Sequence, residues 1–436
     1  MTGPNTYFDP AHPGELSPAS AELIRRRQAA LGGAYRLFYR EPIEFVSGHG
    51  AHLLDADGVD YLDVYNNVPS IGHAHPAVTQ AVARQLALVN VHTRYLSRPV
   101  IDYSERLLAT FPAALDRVMY TCTGSEANDL ALRIAKTRTG RQGVIVTSYA
   151  YHGVTTEVAA ISPSLGGVAS VAPWVRMVPA PDPARGDGDD TGTVIARFAG
   201  ELQSACEDLA AAGFGTAAIV MDSIFASDGV IADVGTLGAV ARVARANDAL
   251  YIADEVQAGF GRTGEAMWGF QRHDVVPDIV TLGKPMGNGM PIAAVVLGQE
   301  LSDDFGARGR YFSTFGGTPV AIAAATAVLD VLETEGLQDN ARVVGALLQR
   351  GLAGLATRHG AMLSRNGVGL FIGQRISSTD LTLELVNALR DRHVLISAAG
   401  PNNDVLKIRP PLAFTAADSD HFLEVLDDAL TTLTVR

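Results

Sequence analysis

A chain of 436 residues that is 47% apolar exceeds one ordinary domain and can bury a sizeable core, so two domains are expected. Its 34 basic against 47 acidic residues leave a formal charge of −13, which argues against nucleic acid or an anionic membrane as partner. Two cysteines, Cys122 and Cys206, are too few for a disulfide framework and fit a reducing cytoplasm. No stretch is long and apolar enough to span a bilayer, and Met1 to Ser20 lacks the basic start and apolar run of an export signal.

In chain order, Pro4, Pro10, Pro13 and Pro18 make the N-terminus an extended arm. His73-Ala74-His75 has metal-like spacing, but no cysteine or clustered carboxylate completes a ligand set. Gly72 and Pro76 instead mark a turn entering a helix. Residues 118–122 read as a strand in which Cys122 is small and buried. Thr123 and Glu126 then fit a capping box, and Ala127, Leu130, Ala131, Ile134 and Ala135 share one helical face. Gly124 lets backbone approach an anion at that helix N-terminus, and Ser125 can donate to it. In isolation this is an ordinary cap.

Further strand-like runs at 144–148, 218–222, Leu250–Asp254, Ile279–Leu282 and Ala293–Leu297 alternate with helical stretches, the signature of a mostly parallel sheet covered on both faces. Residues 182–190 read as a surface loop rich in Pro, Gly and Asp. After Val320 a long apolar helix leads to a smaller α+β lobe with strands at 368–373 and Val405–Ile408. Thr415 with Asp418 then caps a final amphipathic helix.

Two of the runs end in reactive groups: Leu250–Asp254 in Asp254, and Ile279–Leu282 two residues before Lys284. A Gly-Lys pair can belong to a nucleotide phosphate loop, but that pattern fails, because Asp278 stands where its first glycine is needed and Pro285 follows the lysine. Parallel sheets carry their chemistry at strand carboxyl ends, and pyridoxal phosphate needs a lysine for its Schiff base and an acid for its ring nitrogen.

The blocks Gly124-Ser125-Glu126-Ala127-Asn128, Tyr151-His152-Gly153, Asp254-Glu255-Val256-Gln257-Ala258-Gly259-Phe260-Gly261-Arg262 and Gly283-Lys284 resemble class III pyridoxal-phosphate aminotransferases. The resemblance runs from about Pro42 to the C-terminus. It implies an α/β protein of fold type I, with a large mostly parallel-sheet domain and a smaller α+β domain built from N- and C-terminal segments. The expected division is 1–60 for the arm and part of the small domain, 61–325 for the cofactor domain and 326–436 for the remainder. Lys284 would bond the cofactor and shuttle protons, and Asp254 would hold the pyridine nitrogen. Tyr151 would stack on the ring, with Val256 packing its other side, Gln257 bonding the ring hydroxyl and His152 packing nearby or serving structure alone. Thr314, in Phe312-Ser313-Thr314-Phe315-Gly316-Gly317, would reach the cofactor phosphate of a neighbouring subunit, which implies a homodimer with shared sites.

Members handling glutamate or 2-oxoglutarate use an arginine for the α-carboxylate and a gating glutamate. Here Ser227 and Lys407 stand in those places, and lysine offers a point charge rather than a bidentate fork. These departures, with Tyr61-Leu62-Asp63-Val64-Tyr65-Asn66-Asn67-Val68, Gly72-His73-Ala74-His75-Pro76 and Phe371-Ile372-Gly373, resemble the branch of ethanolamine-phosphate and phosphohydroxylysine phospho-lyases. That branch implies elimination of phosphate from a phosphorylated amino alcohol, such as O-phosphoethanolamine giving acetaldehyde, ammonia and phosphate. Lys407 is the leading candidate to bind the departing dianion, with Arg409 and Arg94 as helpers. An aminotransferase moving an amino group from an amine or amino acid to a keto acid is the alternative. A cofactor-binding protein without catalysis is a third reading, and the intact Lys284 and Asp254 count against it.

Overall fold

The computed structural model describes residues 7–166, 171–185 and 189–434. Strands β1 (Phe45–His49), β2 (His52–Asp55) and β3 (Asp60–Asp63) come first. There follow β4 (Arg117–Thr121), β5 (Gly143–Thr147), β6 (Val175–Val178), β7 (Thr216–Asp222), β8 (Leu250–Asp254), β9 (Ile279–Leu282) and β10 (Ala293–Leu297), alternating with helices. The last group is β11 (Met362–Val368), β12 (Phe371–Ile376), β13 (Val394–Leu395), β14 (Ser397–Ala399) and β15 (Val405–Ile408).

The middle group forms one seven-stranded sheet in the order β4-β10-β9-β8-β7-β5-β6. β9, β8, β7, β5 and β6 pair in parallel, and β10 runs antiparallel to both its neighbours. Parallel strands joined by helical crossovers are covered on both faces, and every residue of β5, β9 and β10 is buried. Register sets Asp222 beside Asp254 and Asp254 beside Thr281, so the carboxyl ends of β7, β8 and β9 line one edge of the sheet. Lys284 follows β9 directly.

Two four-stranded sheets complete the fold, β1-β2-β3-β13 and β11-β12-β15-β14. β13 joins β3 in parallel, so strands from the two ends of the chain share a sheet. The expected boundaries at 60/61 and 325/326 fall inside β3 and inside the helix Pro319–Thr334. Among the described residues, no helix is long and apolar enough to cross a membrane.

Several local expectations need correction. The N-terminal arm gives way to a helix, Pro18–Leu31, capped by Ser17. Pro18 sits in its first turn, where the missing N–H is harmless. None of its residues is buried, so no apolar stripe marks it in the sequence. Pro4 lies outside the described residues. The single strand expected at 368–373 is a hairpin, because Gly369, at φ 56°, turns the chain between β11 and β12. Cys122 lies just past β4 and is only half-buried, whereas Cys206 is buried. Of the loop at 182–190, Pro183–Arg185 forms a short 3-10 turn, and 186–188 lie outside the described residues. His75 caps the helix Pro76–Leu86 with its ring, and His73 bonds the buried Asp63 at 2.7 Å. The His-Ala-His run is therefore a turn, and no group of ligands fit for a metal occurs among the described residues.

Candidate active site

Successive residues of a strand point to opposite faces, which separates the two acids at the end of β8. Glu255 turns into the core, where Ser223 Oγ and the N–H groups of Gly269 and Phe270 donate to it. Burial pushes its carboxyl up to about 7. Asp254 faces the site. Its Oδ1 accepts from Val256 N at 3.0 Å, and its Oδ2 accepts from His152 Nδ1 at 2.7 Å and Asn128 Nδ2 at 3.0 Å. Burial raises this carboxyl, yet the bonds and charge of His152, the Val256 N–H and the Lys284 charge hold it below its usual range. An ionised carboxylate only accepts, so the His152 proton belongs on Nδ1, which leaves Nε2 buried without a partner.

Asn128 ties three segments together, donating also to His152 O at 2.8 Å and accepting from Thr281 Oγ1 at 2.8 Å. Burial and then the charge of Arg409 bring the Lys284 amine down to about 8, against the opposing pull of Asp254 and Asp222. Neither Asn128 nor the His152 bond was legible in the sequence as part of the site. The one signal was a buried polar residue on the otherwise apolar face Ala127, Leu130, Ala131.

The helix Gly124–Thr139 opens on Thr123, whose hydroxyl accepts from Glu126 N, and stops at the left-handed Gly140. Its expected apolar face, Ala127, Leu130, Ala131, Ile134 and Ala135, is buried. The capping box is shifted by one, since the Glu126 carboxylate accepts from Cys122 N at 2.7 Å. Ser125 Oγ accepts from Val154 N at 3.1 Å, which joins this N-terminus to the Tyr151-His152-Gly153 segment. Tyr151 is half-buried, and burial followed by the Asp254 charge raises its phenol. A Cβ at Gly124 would meet Val256 Cγ2 at 3.0 Å, and one at Gly283 would meet Val256 Cγ1 at 3.2 Å. Two bare glycines therefore let the helix N-terminus, Val256 and Lys284 crowd into one space.

Lys407 and Arg409, both buried, come from the end of β15. Arg409 Nη1 donates to Gln257 Oε1, and its guanidinium lies 4.6 Å from the Tyr65 ring centre. Its Nε is buried without a partner. The Lys407 ammonium lies 5.7 Å from the Phe371 ring centre, and burial and then Arg409 drive it well below its usual range. Arg94 and Thr314 lie elsewhere, both exposed. The Arg94 guanidinium stacks 3.8 Å from the Phe312 ring centre, which places it beside the Thr314 segment rather than with Lys407.

A lysine and an aspartate at adjacent strand ends, facing a helix N-terminus, are the constellation of a fold type I pyridoxal-phosphate enzyme, and the donor set with its glycine cradle fits that cofactor. Residues 39–430 match the family described as Aminotransferase class-III. An alanine–glyoxylate aminotransferase 2-like protein of Drosophila melanogaster is 37% identical over 433 residues, 95% of this chain and 87% of the relative. An ethanolamine-phosphate phospho-lyase homolog of Caenorhabditis elegans is 35% identical, over 94% of this chain and 93% of the relative. Among solved structures, a phospholyase from Arthrobacter in complex with phosphoethanolamine superposes with a TM-score of 0.91 at 44% identity, covering 94% of this chain and 99% of that one. The chain belongs to the class III aminotransferase family, and its cofactor is pyridoxal 5′-phosphate.

Proposed function

We propose that this enzyme is a phospho-lyase that eliminates phosphate from a phosphorylated amino alcohol, with O-phosphoethanolamine going to acetaldehyde, ammonia and phosphate. The observation that carries the reading is the pair of buried basic residues, Lys407 and Arg409, grouped about Lys284: the Arg409 charge lowers Lys284, and Lys284 and Arg409 both lower Lys407. A phosphate dianion supplies the countercharge such a pair calls for. The likeness to a phospholyase bound to phosphoethanolamine supports the same substrate class.

Bound pyridoxal phosphate supplies an electron sink for the carbon next to the substrate nitrogen. Lys284 Nζ removes the proton from that carbon, for which its amine must be neutral, and its lowered pKa favours that form. Asp254 holds the proton on the ring nitrogen through a carboxylate kept ionised by His152 and Asn128. Ser125 and the N–H groups after Thr123 would hold the cofactor phosphate, Tyr151 and Val256 would hold the ring, and Gln257 would bond its hydroxyl. Lys407 Nζ and the Arg409 guanidinium bind the substrate phosphate and stabilise it as the C–O bond breaks. The unsaturated amine left behind takes up water to give aldehyde and ammonia.

The partner is a second copy of the chain, with Thr314 of each subunit at the other's cofactor phosphate. Support comes from the exposed apolar residues Leu88, Tyr95, Leu96 and Phe315 around the stacked Arg94 and Phe312. The test of the reaction is incubation of purified holoenzyme with O-phosphoethanolamine and no keto acid, with phosphate and acetaldehyde measured together. Equimolar release is expected. The aminotransferase reading is favoured by the alanine–glyoxylate aminotransferase names among the relatives. It takes over if no phosphate appears and amino groups pass from alanine to glyoxylate or 2-oxoglutarate instead.

A further inference from the structure

Two carboxylates on the segment that packs against the strand partner of Lys407, Asp222 and Asp228, have no part in the elimination. Asp222 ends β7 and folds back on its own loop, Oδ1 accepting from Ile224 N at 2.9 Å and Oδ2 from Ala226 N at 3.2 Å. Asp228 is buried, with Oδ2 accepting from Thr147 Oγ1 at 2.8 Å and Oδ1 from Tyr149 N at 3.2 Å. The loop that carries them, 222–230, is strained, for Phe225 stands at φ 50° and the β-branched Val230 at φ 65°. It presses on the strands that carry Lys407. Register pairs Lys407 with Gly373, where a Cβ would lie 2.7 Å from Gly229 O and 3.0 Å from Val230 Cβ. Only a bare position opposite Lys407 lets this loop come so close.

We infer that Asp228, together with Asp222, acts through Lys407: the two carboxylates, on the loop that packs over the strand partner of Lys407, keep its ammonium charged for the anionic group of the substrate. The inference rests on the reading of Lys407 as the anion-binding residue. Burial, then Arg409 and Lys284, lower the pKa of Lys407, while Asp222 and Asp228 pull it back up. A neutral amine would offer a dianion little. Asp228 itself is pushed up to about 7, by burial and by Asp222, against the bonds from Thr147 and Tyr149 N and the charge of His152. On its far side a cavity of about 340 Å³, lined by Tyr149, Asp182, Arg185, Arg375 and Asp404, places two more cations and two more carboxylates near it.

The experiment titrates inorganic phosphate against wild-type and Asp228→Asn holoenzyme by calorimetry across pH, with steady-state kinetics on O-phosphoethanolamine alongside. With one carboxylate gone, Lys407 loses its proton at lower pH. The pH at which phosphate affinity falls should therefore move to the acid side by about one unit. KM should rise roughly tenfold with kcat little changed, the signature of lost charge-assisted binding. Asp228→Glu should restore the wild-type profile. If Asp228→Asn fails to fold, the isosteric Thr147→Val, which withdraws a donor from ionised Asp228, must shift the profile the same way by less. An unshifted profile overturns the inference and leaves the phospho-lyase reading intact. Equal phosphate affinity in wild type and Lys407→Ala also overturns it. If wild type eliminates nothing, the phospho-lyase reading falls, and the inorganic phosphate profile still decides the role of Asp228.

Discussion

At the scale of single residues, the strand-end places of Asp254 and Lys284 were legible because short apolar runs lead to both. The bonds of Asn128 and His152 to Asp254 were not, since they join three distant segments at one carboxylate oxygen. His152→Phe tests that meeting. Asp254 lies below its usual range because hydrogen bonds outweigh burial, so the ionised carboxylate is present at ordinary pH and lost only as pH falls through a low pKa. Without His152, burial gains the upper hand and the pKa rises. The pH at which the protein loses its cofactor on acidification, read from visible absorbance after desalting, should therefore climb. Loss of a hydrogen bond to a charged group should weaken cofactor binding by about 1.5–3 kcal/mol; an unmoved acid limb would sink the assignment. Lys284 gives a second pH prediction. An amine near 8 leaves about a tenth neutral at pH 7, so kcat should rise with pH up to about 8. Arg409 is one cause of the lowering, so Arg409→Gln should raise the Lys284 pKa and shift this limb of kcat to higher pH. A limb that stays put would separate Arg409 from the lysine.

Among the elements, strands buried on both faces declared themselves by unbroken apolar runs, and β7 to β10 match their expected spans to within two residues. β6 escaped notice: it is an edge strand of four residues in which Arg176 is half-buried and Met177 exposed, which breaks the apolar run. The pairing of β3 with β13 joins residues over three hundred positions apart, which local pattern cannot reveal. Glycines with no visible local purpose turn out to mark such meetings. Gly153 has φ 142°, and a Cβ there would lie 2.3 Å from Ser125 Oγ and 2.8 Å from Ser125 Cα. Ser125 stands in the first turn of its helix, so the backbone cannot yield without moving the N–H groups proposed to hold the cofactor phosphate. Gly153→Ala should therefore cost about 1–3 kcal/mol through overpacking, with much of the loss appearing as weaker cofactor affinity. Fluorescence titration of the apoenzyme with pyridoxal phosphate measures it, and an affinity equal to wild type would show that the two segments move independently.

For the whole molecule, the large sheet was legible in the sequence, but not where a second chain would sit. The geometry narrows this. His92 packs edge-on to Phe312 at 5.3 Å, and Asn90 Oδ1 accepts from Val320 N, so the 86–101 segment is tied to the segment that carries Thr314. Leu88, Leu96 and Phe315 stand exposed on these two segments. Thr314 is exposed too, whereas the cofactor phosphate is expected at the N-terminus of Gly124–Thr139, and a twofold dimer would let each subunit lend its threonine to the other. A mixture of Lys284→Ala and Thr314→Ala chains tests this, once each variant alone is shown to be impaired. In a mixed dimer one site draws Lys284 from one chain and Thr314 from the other, and is wild type; the second site lacks both. Random pairing makes half the dimers mixed, so unfolding and refolding the two variants together should recover about a quarter of wild-type activity. Activity no greater than the average of the two parents would mean that Thr314 serves its own chain or none, and the shared site would have to be abandoned even if the protein sediments as a dimer.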